Sequence, residues 1–250
     1  MSSSPIILFQ PPPGNILLNY NVRLLSTEQN PNCGIPQTYL DSQTVRESVF
    51  VKEQNAVPIK YQQDRDDTRS FCWVLYSSFP EVKLVGTIRL VPPPHHPHPA
   101  PGAKFEAPNE EPPGFGAMML FSHIPLPMYA VDRKTSLHDG VESYVKLGRL
   151  CVIKEERGKR LADLMVNAAL DWAKESAEEI GKGLGEKIPR WKGLVCVHAQ
   201  EKAVGVWQRH GFVIDQGMGS WYEGGIRHVG MFRRLDLDES WKYLFKKRKT

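Results

Sequence analysis

No stretch of this 250-residue sequence approaches the roughly 18 consecutive apolar residues that a membrane-spanning helix requires. The opening Met1-Ser2-Ser3-Ser4-Pro5 has neither the basic nor the apolar region of a secretory signal. An intracellular, soluble protein is the expectation, with a cytoplasmic location and no membrane partner. Cysteine is scarce. Cys33, Cys72, Cys151 and Cys196 are scattered without a CxxC or zinc-like spacing, and the last two lie in apolar runs where a free thiol behaves as a small hydrophobe. Disulfides are neither needed nor expected, because a chain of this length buries a sizeable core unaided. Internal repeats are absent as well. Charge of one sign is in small excess, +4 in all, and much of it sits in Lys246-Lys247-Arg248-Lys249. That run is read as a solvated tail, with nuclear targeting as the alternative; no basic face interleaved with aromatics supports nucleic-acid binding.

What is present is alternation of strand-like and helix-like segments. Residues 19–26 alternate as a first strand, and Pro36 to Lys52 reads as a helix. Phe71 to Ser77 and Lys83 to Val91 are β-rich runs joined by a short connection, hence an antiparallel hairpin. Tyr144 to Ile153 is a strand leading into a long helix with an apolar face built from Leu161, Leu164, Met165, Ala168, Ala169, Trp172 and Ala173. A short buried strand at 194–198, a helix at 201–210 stopped by Gly211, and two strands around 212–215 and 229–235 complete the pattern. The order is mixed α/β, largely antiparallel, with one βαβ unit in the middle.

Between about 92 and 140 the chain is heavy in Pro and Gly, and it reads as an insertion or long surface loop. Its apolar Met118, Met119, Leu120, Phe121, Ile124, Leu126 and Met128 suggest that part of it packs over a substrate site or a dimer interface. His95, His96 and His98 sit among prolines that favour an extended backbone with side chains pointing apart, and no carboxylate or cysteine is near in sequence. No metal site is expected there. The domain reading is a single unit over 1–235 containing this insertion, followed by a basic, helix-like tail over 236–250.

The segment that carries chemistry is the strand ending at Ile153, followed by Arg157-Gly158-Lys159-Arg160-Leu161-Ala162 and the long helix. Exposed amides at a helix N-terminus beside basic side chains suit a pyrophosphate. This arrangement resembles motif A of the GNAT superfamily, Arg/Gln-x-x-Gly-x-Gly/Ala, with Arg157 and Ala162 in the first and last places and Arg160 where the pattern has Gly. Val45-Arg46-x-x-Val49-Phe50-Val51-x-Glu53-Gln54, then Asp64-x-Asp66-Asp67, is similar to the first helix and loop of the ElaA/YjcF-like branch. His198-Ala199-Gln200 with Ala203, Trp207-x-x-x-Gly211-Phe212, and Tyr222-Glu223-x-Gly225-Ile226-x-His228-x-x-Met231 resemble its closing block.

The resemblance implies a mostly antiparallel sheet flanked by helices, with a central pair of parallel strands that splay to admit acetyl-CoA as co-substrate. The backbone of Leu150, Cys151 and Val152 would pair with pantetheine, the amides from Gly158 through Lys159, Arg160 and Leu161 to Ala162 would hold the diphosphate beside Arg157, and Trp207 would border the thioester. An amine of pKa about 10 must lose a proton before it attacks. Glu53, Asp66, Asp67, His198, Glu223 and His228 are the candidate bases, with Glu223, His228 and Glu53 placed by the resemblance around the acceptor. His198 also suits a structural role at a strand end, and Asp64, Asp66 and Asp67 suit loop capping. Arg149 is expected to pair with an acidic loop residue. Trp207 stands where many family members carry a Tyr that protonates the leaving thiolate, and its indole N–H is no practical acid.

The expected activity is acetyl transfer to the primary amine of a small molecule: an amino sugar, polyamine, arylalkylamine or amino-acid derivative. Acetylation of peptide N-termini or lysines, and an inactive module that senses acyl-CoA, are the alternatives. A homodimer through C-terminal strands is expected by analogy.

Overall fold

The computed structural model describes residues 4–78, 81–106, 129–182 and 184–237. The basic tail and the apolar residues from Met118 to Met128 lie outside these. Among the described residues no helix is long and apolar enough to cross a membrane.

Among the described residues nine strands form one sheet. They are β1 (Ile6–Gln10), β2 (Phe71–Ser77), β3 (Lys83–Val91), β4 (Lys104–Phe105), β5 (Tyr144–Val152), β6 (Leu194–Gln200), β7 (Val213–Ile214), β8 (Ser220–Glu223) and β9 (Ile226–Arg234), in the spatial order β1-β2-β3-β5-β6-β9-β8-β4, with β7 also on β9. Two pairings are parallel, β5 with β6 and β4 with β8, and the others are antiparallel. The helices are α1 (Gln37–Arg46), α2 (Leu161–Glu175), α3 (Ala177–Ile180) and α4 (Val204–Arg209).

The hairpin β2–β3 forms where β-branched and aromatic residues were dense, and its residues are buried along most of its length. The first strand falls elsewhere than the alternation of 19–26 suggests. Ile6–Gln10 pairs antiparallel with β2, whereas 19–26 runs through turns between two short 3-10 helices, and Leu17 and Tyr20 pack with Ile35 and Tyr39 in a small separate cluster. A five-residue edge strand with little burial on either face leaves no alternation to read. The face of α2 is also rotated from expectation. Leu161, Met165, Ala169 and Ala173 form the buried stripe with Val166 and Leu170 beside it, and Leu164 is exposed. The four-residue spacing of that stripe runs along one ridge of the helix, and the sheet takes the Val166–Leu170 flank rather than the Leu164 flank.

The segment read as an insertion is not a free loop where it is described. Lys104–Phe105 adds to the edge of β8, in register with Tyr222 and Glu223, and His95, His98 and His138 pack against Tyr144 and Phe232. The edge of β8 open to pairing is therefore occupied by the same chain.

Candidate active site

The parallel pairing of β5 and β6 begins at Tyr144 beside Leu194 and ends at Leu147 beside Val197. Beyond that point β6 stays with β9 through Gln200, while β5 runs on against β3 to Val152. A gap opens between two parallel strands. At its origin one extra residue is inserted in β5: Thr87 faces Cys151, yet Arg89 faces Gly148. This β-bulge carries Arg149 at φ +51°, a left-handed conformation that a side chain resists.

An ion cluster holds the bulge. Arg149 Nη2 lies 2.8 Å from Asp64 Oδ2, Arg89 Nη1 reaches Asp64 Oδ1 at 2.6 Å and Asp67 Oδ1 at 2.8 Å, and Arg46 Nη1 reaches Asp67 Oδ1 at 2.7 Å. The Arg149 pairing expected from sequence is present, and Asp64 with Asp67 closes a capping box over Arg65–Arg69. Burial alone pushes the Asp64 and Asp67 carboxyls up, but the surrounding guanidinium groups outweigh it and hold both well below the usual carboxylate range. Asp66, another candidate base, is taken by Arg69 at 2.7 Å. None of these carboxylates faces the gap as a free base.

Beyond Val152 the chain turns through Lys154–Glu156 into Gly158, at φ +82°, and Arg160, at φ +59°. Arg160 thus adopts the left-handed backbone for which Gly is the easy choice, with its side chain mostly in solvent against Asp163 at 3.4 Å. It caps α2 without any side-chain hydrogen bond, so the first amides of a fifteen-residue helix face outward beside a glycine around which a methyl group would meet nothing within 4 Å. Such a turn is a ready anion cradle. Its cations are already paired: Arg157 with Glu53 through contacts of 2.7 and 2.6 Å, and Lys159 with Glu156 at 2.7 Å. Arg157 Nε also donates to the Val152 carbonyl at 2.9 Å. Glu53, whose carboxyl is lowered by the Arg157 hydrogen bonds, therefore stands on the phosphate side of the gap. Cys151 is buried and its thiol is pushed up to about 12 by desolvation, so it contributes backbone and packing, not reactivity.

Glu223 and His228 meet on the other side. Glu223 ends β8 and is nearly buried; its Oε1 accepts from Trp221 Nε1 at 2.7 Å, and its Oε2 lies 3.9 Å from His228 Nε2. The Nδ1 of His228 donates to the Ile226 carbonyl at 2.8 Å, which leaves Nε2 on the side of the carboxylate. His198, on β6, brings Nδ1 to 3.8 Å from Glu223 Oε1. Desolvation, with Lys146 next, keeps His198 neutral well below the ordinary imidazole range. The turn after Glu223 abuts the loop after α1, where a Cβ on Gly224 would come within 1.9 Å of the Ala56 carbonyl. Only glycine fits there.

Two further features join these walls. The end of α1 widens into a π-helical turn over Glu47–Glu53 that swings Gln54 toward β6, a device frequent at functional sites. Gln54 and Gln200 then exchange amide hydrogen bonds at 3.3 and 3.0 Å. Sequence reasoning named neither glutamine as functional, although both belong to the blocks that carry the resemblance. Trp207, on α4, is buried in the main core edge-on to Phe212. A separate cavity of about 410 Å³ lined by Arg69, Phe71, Pro92 and Ile180 opens at the far end of β2 and β3, away from this gap.

A splayed parallel pair behind a bulge, with an amide cradle at the following helix, is the arrangement of acyl-CoA N-acyltransferases. The family model for the acetyltransferase (GNAT) family matches residues 40–212. The chain belongs to that family. Its fold is the GNAT fold, a mixed sheet flanked by helices, and acetyl-CoA is its co-substrate. Among solved structures it is similar to a Lactobacillus plantarum protein assigned provisionally as an N-acetyltransferase, with 16% identity over 94% of this chain and 100% of that one and a TM-score of 0.50. An acyl-CoA N-acyltransferase from Pseudomonas aeruginosa (16% identity, 92% and 99% covered, TM-score 0.49) and ElaA from Escherichia coli (17%, 92% and 100%, 0.47) are similar as well. No curated protein matches the sequence.

Proposed function

We propose that this protein transfers acetyl from acetyl-CoA to the primary amine of a small molecule. The observation that supports it is the pair Glu223 and His228, a carboxyl group and an imidazole 3.9 Å apart, held by Trp221 and the Ile226 carbonyl. In this reading Leu150, Cys151 and Val152 pair with pantetheine, the turn from Gly158 to Ala162 takes the diphosphate, and Arg157 exchanges Glu53 for phosphate on binding. The amine enters between the Ala56 loop and the β8–β9 turn. Its proton passes to Glu223, directly or through a water in the space His228 leaves, and the imidazole shares the charge. Attack on the thioester follows without a covalent enzyme intermediate. Trp207, buried at the place of the usual acid, leaves the thiolate to depart unassisted or through water, which a thiol pKa of about 8.5 allows. Rate then rests chiefly on positioning.

Support for a small acceptor comes from the edge of the site. Phe105 is in register with Glu223, so a strand of the same chain runs where an open groove would continue past β8. Release of thiol from acetyl-CoA, measured against amino sugars, polyamines, arylalkylamines, amino acids and short peptides, tests the reading. Turnover on a small amine and none on peptides is expected. Preferential turnover on peptides would overturn the acceptor class, and tight acetyl-CoA binding with no turnover on any amine would replace the enzyme with a sensor.

A further inference from the structure

Of His95, His96 and His98, His98 enters a cluster of donor side chains, and carboxylate and cysteine partners lie near it once the chain is folded. His98 Nε2 is 3.1 Å from His138 Nδ1 and 3.6 Å from Asp132 Oδ2, and the three donor atoms form one group within 4.8 Å. Cys196 and His198, from β6, form a second such group with the same His98. We propose that this cluster is a binding site for a divalent transition-metal ion of the Zn²⁺ type, held by His98, His138 and Asp132 and completed from β6 by His198 or Cys196.

The geometry favours a metal over a packed pair of rings. Four donors about 2.05 Å from a tetrahedral ion are separated by about 3.3 Å, which lies between the two distances found. His138 is oriented as a metal ligand is: its Nε2 donates to the Glu142 carbonyl at 2.8 Å, which fixes the tautomer and directs the Nδ1 lone pair at His98. Its main chain is tied to Thr135 Oγ1 at 3.2 Å. Asp132 is set by the His98 amide on Oδ2 and the Arg133 amide on Oδ1, both at 2.7 Å, which leaves a lone pair on Oδ2 for an ion. The Arg133 guanidinium does not compete for that carboxylate, because it donates to the carbonyls of Pro99, Gly217 and Met218. Finally, His198 Nε2 is buried with no hydrogen-bond partner, and a ring nitrogen left so costs free energy that coordination would recover. On binding, the proton of His98 moves from Nε2 to Nδ1, and any thiol that ligates releases its proton to solvent.

The ligands come from three places, 98, 132–138 and β6, so the ion staples the Pro-rich segment to the sheet beside Glu223. A set of imidazole, carboxylate and thiol donors suits Zn²⁺ or Co²⁺ and not Mg²⁺ or Ca²⁺.

The full chain, free of any affinity-tag histidines and stripped with chelator, is titrated with ZnCl₂ calorimetrically and with CoCl₂ by visible absorption. One ion per chain at micromolar affinity or tighter, with the intense visible bands of tetrahedral cobalt, is expected. His138→Ala and Asp132→Asn should each weaken binding at least about tenfold. His96→Ala, which alters an exposed ring outside the group, should not. Asp132→Asn keeps an acceptor for the His98 amide and so decides the matter if His138→Ala fails to fold; near-ultraviolet circular dichroism reports folding independently of acetyl-CoA. Binding no tighter than millimolar, or affinity unchanged in Asp132→Asn, would overturn the site and leave a buried histidine pair. Neither result bears on the acetyl-transfer reading.

Discussion

Arg149 holds its left-handed backbone at the β5 bulge with its guanidinium 2.8 Å from Asp64, a carboxylate that also carries Arg89. The bulge is where the parallel strands part, so this buried pair connects stability to the shape of the acyl-CoA gap. Removing one partner from such a cluster strands the other charge. Asp64→Asn is expected to cost about 3–5 kcal/mol in urea unfolding, against under about 1 kcal/mol for Glu179→Ala, whose pair with Lys182 is in solvent. A cost for Asp64→Asn as small as that of the surface pair would contradict the role given to the cluster.

The same cluster sets the acid limit. Asp64 and Asp67 are depressed in the folded state, so their stabilisation is complete above the unfolded carboxyl value of about 3.9 and is lost as pH falls below it. Each contributes a slope of up to about 1.4 kcal/mol per pH unit in that window. Urea midpoints measured from pH 6 down to pH 3 should be nearly level with respect to these groups until about pH 4.5 and then fall steeply; with Arg89→Met the fall should be shallower.

Arg160 occupies a position whose φ of +59° a side chain tolerates at a cost of about 1–2 kcal/mol. Arg160→Gly removes that strain and loses only a solvent-exposed contact to Asp163. Greater chain entropy of glycine offsets part of the gain, so a net stabilisation of about 0.5–1 kcal/mol is expected, read as a rise in Tm. A fall in Tm would show that the Arg160 side chain holds the turn.

Arg157 is bidentate to Glu53 before any phosphate arrives. Glu53→Gln weakens that competitor, and acetyl-CoA should bind the variant up to about fivefold more tightly, since partly exposed pairs are worth about 1 kcal/mol or less. Weaker binding, measured calorimetrically at constant ionic strength, would mean that Glu53 positions Arg157 for the diphosphate instead of withholding it.

The sequence disclosed what local pattern encodes. The hairpin, the strand into α2, the glycine-marked turn and the closing block are each specified by residues close in the sequence, and the Arg149 pairing is legible as a type although not its partner. Distance along the chain hid the rest. His98 meets Asp132, His138 and Cys196 only through β4, β5 and β6, and prolines that predict an extended backbone say nothing of what that backbone lies against. Likewise Glu53 lies on a helical turn that widens and meets Arg157, 104 residues further along the chain. The strand Ile6–Gln10 was illegible because an edge strand this short and this exposed shows no alternation.

The most direct measurement is thiol release by Glu223→Gln alongside the native chain, with acetyl-CoA affinity determined on both. The account predicts that turnover on the preferred amine falls at least about a hundredfold near neutral pH while acetyl-CoA binds within about twofold of native. Undiminished turnover in a folded variant that binds acetyl-CoA would contradict the placing of the base at Glu223.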